Sequence, residues 1–348
     1  MKRTLFFYFS SWLFISFSST ANAVSIDQFK LNGFFDLEYE KSYSDEGKIG
    51  DTKGSFDQYH VNLLMEFPVS DTLVVKTHIE YEHAPQLSSA SKGDLKIEWS
   101  YLEYLVSNNF KLRGGLVLTP FGIYNEIHDA TPSYLSVRVP WGIYRADKVG
   151  GFPVFPKFST GANLLGGYFS EGDLNLNYVL YVANGENATK NEAESDENAD
   201  KAIGGRLMIS PIAGLTLGGS FFTGDKQASA TSAESHSAWL GTVDYSMSHL
   251  SARAEYASSK KGSQTEAAWY GEASYRIKMV TPFVRYGTLD PDDDKDKDEW
   301  AELVYGINCE VQPNVILKLE NRNFNGDINN LKIPNDYNEV AAALTVAF

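Results

Sequence analysis

Asn109-Phe-Lys-Leu-Arg-Gly-Gly-Leu-Val-Leu118 runs directly into Thr119-Pro-Phe-Gly122, and the change of pattern between the two decides the fold. In the first run Phe110, Leu112, Gly114, Leu116 and Leu118 share one face while Lys111 and Arg113 lie on the other, the period-two signature of a strand. The segment that follows, 119–160, is neither strand nor hairpin turn. Pro120, Pro132, Pro140, Pro153 and Pro156 interrupt any helix or sheet ladder there. Phe121, Tyr124, Tyr134, Trp141, Tyr144, Phe152, Phe155 and Phe158 make it strongly aromatic. So long an irregular stretch inside a compact domain is normally functional or misassigned. It is predicted to fold back into the space that the strands enclose.

Working outward, stretches of about ten residues alternate in polarity, which predicts a transmembrane β-barrel with lipid-facing and lumen-facing side chains in turn. The first, 29–40, sets Leu31, Phe35, Leu37 and Tyr39 against Asn32, Asp36, Glu38 and Glu40. The second, 57–67, sets Val61, Leu63, Met65 and Phe67 against His60, Asn62 and Glu66. In the third, Leu73, Val75, Ile79 and Tyr81 oppose Lys76, His78, Glu80 and Glu82. The fourth, 95–107, changes register partway: Leu95, Ile97 and Trp99 share one face, then Leu102, Tyr104 and Val106 take over. A bulge near Ser100 reconciles them. The fold class is therefore all-β, an antiparallel barrel of about 16 strands, with 14 or 18 also compatible.

The connections sort by parity. Pro68–Asp71, 171–173, 211–214, 246–249, 278–279 and 312–314 are tight, whereas 41–54, 83–94, 184–201, 224–236, 290–299 and 325–336 are long. Short periplasmic turns and long extracellular loops produce that alternation. Aromatic residues gather towards the ends of outward faces: Tyr39, Tyr59, Tyr81, Tyr256, Trp269 and Tyr286 at one end, Phe67, Tyr245, Tyr275 and Phe348 at the other. Two such girdles belong at two membrane interfaces.

Met1-Lys-Arg3, an apolar run to Ser18 and Ala21-Asn-Ala23 read as a signal peptide cleaved after residue 23, leaving one barrel domain, 24–348. The chain carries a net charge of −15 and no basic stripe, which excludes nucleic acid as a partner. A single cysteine, Cys309, allows no intrachain disulfide.

The last strand, Tyr337 to Phe348, has Val340, Ala342, Leu344, Val346 and Phe348 in register, and it resembles the C-terminal strand of Gram-negative outer-membrane barrels. The whole resembles the 16-stranded trimeric porins, whose third extracellular loop follows the fifth strand and enters the lumen. Leu112-Arg-Gly-Gly-Leu-Val-Leu-Thr-Pro-Phe-Gly122 is similar to the porin strand-to-loop junction. Thr281-Pro-Phe-Val-Arg-Tyr-Gly287 is similar to a late strand of the phosphate-selective porin O and P group. The chain lacks that group's excess of inward arginines. The resemblance implies an outer-membrane location, a homotrimer and a constriction loop at 119–160.

That loop carries Glu126, Asp129 and Asp147 against Arg138, Arg145, Lys148 and Lys157, less acidic than its neighbours. Facing it, the wall offers Lys76, Lys96, Lys111 and Arg113, then Arg206, Arg253, Arg285, Lys318 and Arg322. Opposed charges at a constriction screen solutes by charge and dipole. The expected pore set is Glu126, Asp129, Arg138, Arg145, Lys148, Lys76, Lys96, Arg113, Arg285, Lys318 and Arg322. Interleaved wall carboxylates such as Asp36, Glu38, Glu66, Glu80 and Glu98 also have the simpler reading of cross-strand ion pairs.

Glu186–Lys201 and Asp290–Glu299 read as solvated acidic tips, able to bridge to lipopolysaccharide through divalent cations. Alternate acids at 292, 294, 296 and 298 lack the glycine and final glutamate of a calcium loop. The six histidines show no metal-ligand spacing, and no serine sits in a nucleophile motif. No cofactor, metal or catalytic residue is expected. The reading is a porin passing small hydrophilic solutes; a closed structural or adhesive barrel, or a barrel hydrolase, are the alternatives.

Overall fold

The computed structural model describes residues 28–43, 53–82, 94–127, 129–145, 154–170, 174–186, 200–229, 232–295, 298–326 and 336–348. The signal-peptide reading and Lys148 fall outside them. Sixteen strands form one closed antiparallel barrel. They are β1 (Lys30–Tyr43), β2 (Ser55–Ser70), β3 (Leu73–Glu82), β4 (Asp94–Ser107), β5 (Phe110–Leu118), β6 (Phe158–Phe169), β7 (Asn175–Ala183) and β8 (Ala202–Ile212), then β9 (Leu215–Ser229), β10 (Ser232–Met247), β11 (Leu250–Lys261), β12 (Gln264–Tyr275), β13 (Val280–Asp290), β14 (Trp300–Gln312), β15 (Val315–Gly326) and β16 (Tyr337–Ala347).

Each strand pairs with the next, and β16 closes on β1 with Phe35 opposite Val346 and Lys41 opposite Val340. Gly33 and Phe348 exchange backbone hydrogen bonds at 2.8 and 2.9 Å, finishing the seam. Closure gives every strand two neighbours, so no backbone edge faces lipid.

The faces divide as the alternation predicts. Leu112, Val243, Trp269, Val340 and Leu344 are exposed on the outside, while Asp36, Glu38, Asn62 and Glu80 are buried on the inside. Outward aromatic residues meet across strands near the long-loop rim, with ring centroids 5.2 Å apart for Trp239–Tyr256 and 5.6 Å for Trp269–Tyr286. Tyr59 lies in β2, but its side chain is not among those described.

Three expectations need correction. The bulge expected near Ser100 is present, with Glu98 as its extra residue because Ile97 and Trp99 pair with the consecutive residues Ile79 and His78, but it turns Trp99 away from the face of Leu95 and Ile97. Trp99 therefore leaves the lipid face and sits with its ring 5.4 Å from His78. The stretch 224–236 is not a long loop: β9 and β10 continue their ladder beyond His236, pairing Asp225 with Ser235 and Lys226 with Glu234. Its polar residues satisfy their backbone groups by pairing with each other. Glu186 is buried rather than solvated.

Candidate functional site

The segment between β5 and β6 begins where the strand ladder ends. Thr119 N donates to Lys157 O at 2.9 Å, one rung beyond the strands. The Asn125 side-chain amide donates to both Thr119 O and Lys157 O at 2.8 Å, tying the neck from inside. Gly122 then turns the chain with φ +61, a conformation favoured by glycine. A Cβ at Gly122 would overlap the Tyr144 hydroxyl. Gly122 N donates to Ser220 Oγ at 3.0 Å and its carbonyl accepts from Arg206 Nη1 at 2.8 Å, so β8 and β9 seize the segment as it enters.

Past this point half of the segment is apolar. Phe121 and Phe155 stack with centroids 4.2 Å apart, Tyr144 meets Phe155 edge-on at 5.8 Å, and Trp141 packs 5.1 Å from Trp300. They form one buried cluster with wall residues from β7 to β16. Many of those wall residues are small: Ala183, Ala202, Ala238, Ala257 and Ala268 leave the volume that the aromatic rings fill. Where phenols reach the wall they donate to carboxylates, Tyr124 to Glu272 and Tyr144 to Glu255, the latter at 2.5 Å. Burial first, and then these carboxylates, push both phenols well above the ordinary tyrosine range. A charged lumen was expected; this dry half was not.

The other half is fastened by charge. Arg138 pairs with Glu38 and reaches Glu40 at 3.2 Å. Ser136 Oγ and Val137 N donate to the two oxygens of Glu320 at 3.1 and 2.8 Å. Arg285 donates to the Arg138 carbonyl at 3.0 Å and to Glu302 at 3.2 Å. Lys318 Nζ donates to the carbonyls of Thr131 at 2.6 Å, Ser136 at 3.0 Å and Tyr134. Arg322 binds Glu320, Glu339 and, at 3.3 Å, Glu40. Arg138, Arg285 and Lys318 are thus buried fasteners of the segment, while Arg322 holds the wall carboxylate, Glu320, that receives it. A charge out of water needs such partners, and here much of the partner set is the segment itself.

The remaining expected residues do not converge on one point. Glu126 pairs with Arg206 on β8. Arg113 binds Glu103 at 2.9 Å, and Lys76 binds Glu66 at 3.1 Å, both towards the tight-turn end. Lys96 lies with Glu80, Glu82 and Glu98 at 3.0–3.3 Å. Arg145, with Arg138, Arg322, Glu40 and Glu339, lines a cavity of about 140 Å³ on the long-loop side. On the tight-turn side are two larger spaces. One of about 610 Å³ includes Glu103, Arg113, Glu126 and Arg206 in its lining, and one of about 290 Å³ includes Tyr124, Tyr134, Arg253 and Glu272.

Two histidine sites escaped the reading by spacing. His236 on β10 has Nδ1 against Glu186, with Nε2 2.9 Å from Ser259 Oγ and 3.1 Å from the Val154 carbonyl. The order Ser–His–Glu is that of a hydrolytic triad. All three side chains are buried, and Nε2 is shared with a carbonyl, so this is a tie between the segment and the wall. His60 lies in a second cluster with Asp36, Glu80 and Asp129. Cross-strand register creates both, and spacing along one strand cannot reveal it.

A closed sixteen-stranded barrel with an apolar outer band and a charged interior defines an outer-membrane channel of the bacterial type. A sequence profile described as Gram-negative porin matches residues 11–328, and the chain belongs to that family and to the bacterial outer membrane. Solved structures agree in fold. The outer-membrane channel DcaP of Acinetobacter baumannii superposes with TM-score 0.62 at 15% identity, over 94% of this chain and 100% of that one. An anion-selective porin from Comamonas acidovorans gives 0.65 at 12%, over 92% and 99%. OmpF of Salmonella typhi, in complex with daunomycin, gives 0.63 at 13%, over 92% and 97%. An uncharacterized protein of Aquifex aeolicus is 28% identical over 185 residues, which span 49% of this chain and 40% of that protein.

Proposed function

We propose that this porin is a passive channel for small hydrophilic solutes and ions, with 119–160 as its constriction loop. The observation that carries this is the fastening of the segment by both edges and across the lumen, from Ser220 and Arg206 on one side to Lys318 and Glu320 on the other. A segment fixed in that way narrows the path to the charged spaces flanking it without moving during passage. The lining of the 610 Å³ space, with Glu126 and Glu103 set against Arg113 and Arg206, gives the transverse field expected to select by charge and dipole. A chain at −15 with acidic loops favours weak cation preference.

The mature domain begins after a cleaved leader in this reading. It assembles as a homotrimer, and its acidic loops meet lipopolysaccharide through divalent cations. It needs no catalytic residue. Planar-bilayer recordings of the purified protein test the channel: stepwise ohmic conductance is expected, and its absence refutes the proposal in favour of a closed structural barrel. Deleting 124–144 should enlarge each step; an unchanged step removes the constriction role. Reversal potential in a salt gradient reads the sign of selectivity.

A further inference from the structure

His60, Glu80 and Asp129 come from three different elements. His60 is on β2, Glu80 on β3, and Asp129 lies in the inward segment between its two short 3-10 turns, Asn125–Ile127 and Thr131–Ser133. One donor atom from each lies within 4.8 Å of the others, and all three residues are buried.

The imidazole is oriented for ligation. Asp36 accepts from the His60 backbone N at 2.7 Å and from Thr131 Oγ1 at 2.6 Å, and its Oδ2 lies 3.3 Å from His60 Nδ1. A carboxylate fixed on Nδ1 leaves Nε2 to face a metal, the usual support behind a metal-bound histidine. Nε2 here faces Glu80 Oε1 at 3.4 Å and Glu82 Oε1 at 3.6 Å.

Charge points the same way. Asp36, Glu80, Glu82, Glu98 and Asp129 surround the site, and the ammonium groups among them are Lys96 and Lys157. Among the described residues, five carboxylates stand around His60 with two ammonium groups, a site rich in oxygen donors. Glu80 is fully buried, and among the described residues neither of its oxygens receives a hydrogen bond, although Lys96 Nζ stands 3.2 Å from Oε2. Buried carboxylates without donors are costly unless a cation joins them.

We propose that His60, Glu80 and Asp129 bind a divalent first-row metal cation, Zn²⁺ or Mn²⁺, which pins the inward segment to the barrel wall. One imidazole with carboxylate oxygens suits these ions better than Ca²⁺ or Mg²⁺, which prefer oxygen alone. The pin lies beside the Lys318 anchor, which holds the Thr131 carbonyl two residues along the segment from Asp129.

The test uses the full-length mature protein without a histidine tag, in detergent, stripped with EDTA and dialysed. Mn²⁺ is added, and pulsed electron paramagnetic resonance reads the coupling of an imidazole nitrogen to the bound ion. The expected result is one tightly held Mn²⁺ per chain with nitrogen coupling, displaced by Zn²⁺. His60→Ala should abolish the coupling, and Glu80→Gln should weaken binding at least tenfold. Asp36→Asn should weaken it about 10–100-fold through the orientation of His60. Asp293→Asn with Asp294→Asn, in the exposed acidic loop, should change nothing. Wild-type protein that binds Mn²⁺ without nitrogen coupling, or does not bind it, overturns the proposal whether or not the variants fold. So does binding that survives in folded His60→Ala and Glu80→Gln but is lost in the loop variant.

Discussion

Arg285 donates to the backbone carbonyl of Arg138, 3.0 Å away, so one arginine of the wall holds the peptide of another in the inserted segment. Each guanidinium keeps its own carboxylate, Glu302 for Arg285 and Glu38 for Arg138. The contact between them runs through the backbone, which lets two like charges share one region.

Removing Arg285 should therefore both free the segment and strand Glu302. Arg285→Ala is expected to cost about 3–5 kcal/mol, the usual penalty for breaking a buried pair from one side. Guanidinium unfolding followed by tryptophan fluorescence measures it. Adding Glu302→Gln should recover part of the loss, and no recovery would show that Glu302 is not the stranded group.

Lys318 has its donors spent on backbone carbonyls of Thr131, Tyr134 and Ser136. Lys318→Met keeps the volume and leaves those carbonyls without it, at about 1–3 kcal/mol for each that water does not reach. Single channels of this variant should open wider and flicker more than wild type. Quiet, wild-type-sized steps would deny Lys318 its fastening role.

The Phe121–Phe155 stack predicts strong coupling. Either Phe→Ala change alone should cost about 3–5 kcal/mol. The double variant should cost less than the sum, because the second truncation acts on a ring already missing its partner. Additive losses in chemical denaturation would show the two rings acting independently.

Tyr124 and Tyr144 give an alkaline signature. Burial, reinforced by Glu272 and Glu255, raises both phenols in the folded protein, while the unfolded value stays near 10. The folded state therefore binds these protons more tightly. Their stabilisation is complete below about pH 10 and falls as pH rises above it. Conductance and tyrosinate absorbance should both rise in that range, and Tyr124→Phe with Tyr144→Phe should remove the part belonging to the segment.

Gly122→Ala should be disruptive despite its small size. It places a side chain at φ +61 and drives a methyl group into the Tyr144 hydroxyl. The expected outcome is loss of the Tyr144–Glu255 contact and a larger conductance step. A step of wild-type size would mean that the entry turn relaxes without moving the segment.

How much of this could be read from the chain follows from what each feature depends on. Leu112 beside Arg113 reveals a strand between lipid and lumen, because the two environments act on neighbouring residues. The place of the 119–160 segment after the fifth strand was legible for the same reason. The His60 cluster was not, since it needs Glu82 brought opposite His60 by cross-strand register and Asp129 delivered by the segment. Inward alanines at 238, 257 and 268 carry no signal until the rings that fill their space are placed. The stretch 224–236 breaks the alternation of lipid-facing and lumen-facing residues and so reads as a long connection, yet two polar strands that pair with each other satisfy their backbone beyond the barrel wall.

The neck at Thr119 and Lys157 has a consequence for how such a protein can change over generations. Register between β5 and β6 is set from Phe110 opposite Gly166 up to Leu118 opposite Phe158, and the Thr119–Lys157 rung closes it with Asn125 across the opening. Residues gained or lost inside that neck leave every rung of the wall where it was. The calibre of the passage and the architecture of the tube can therefore be inherited separately.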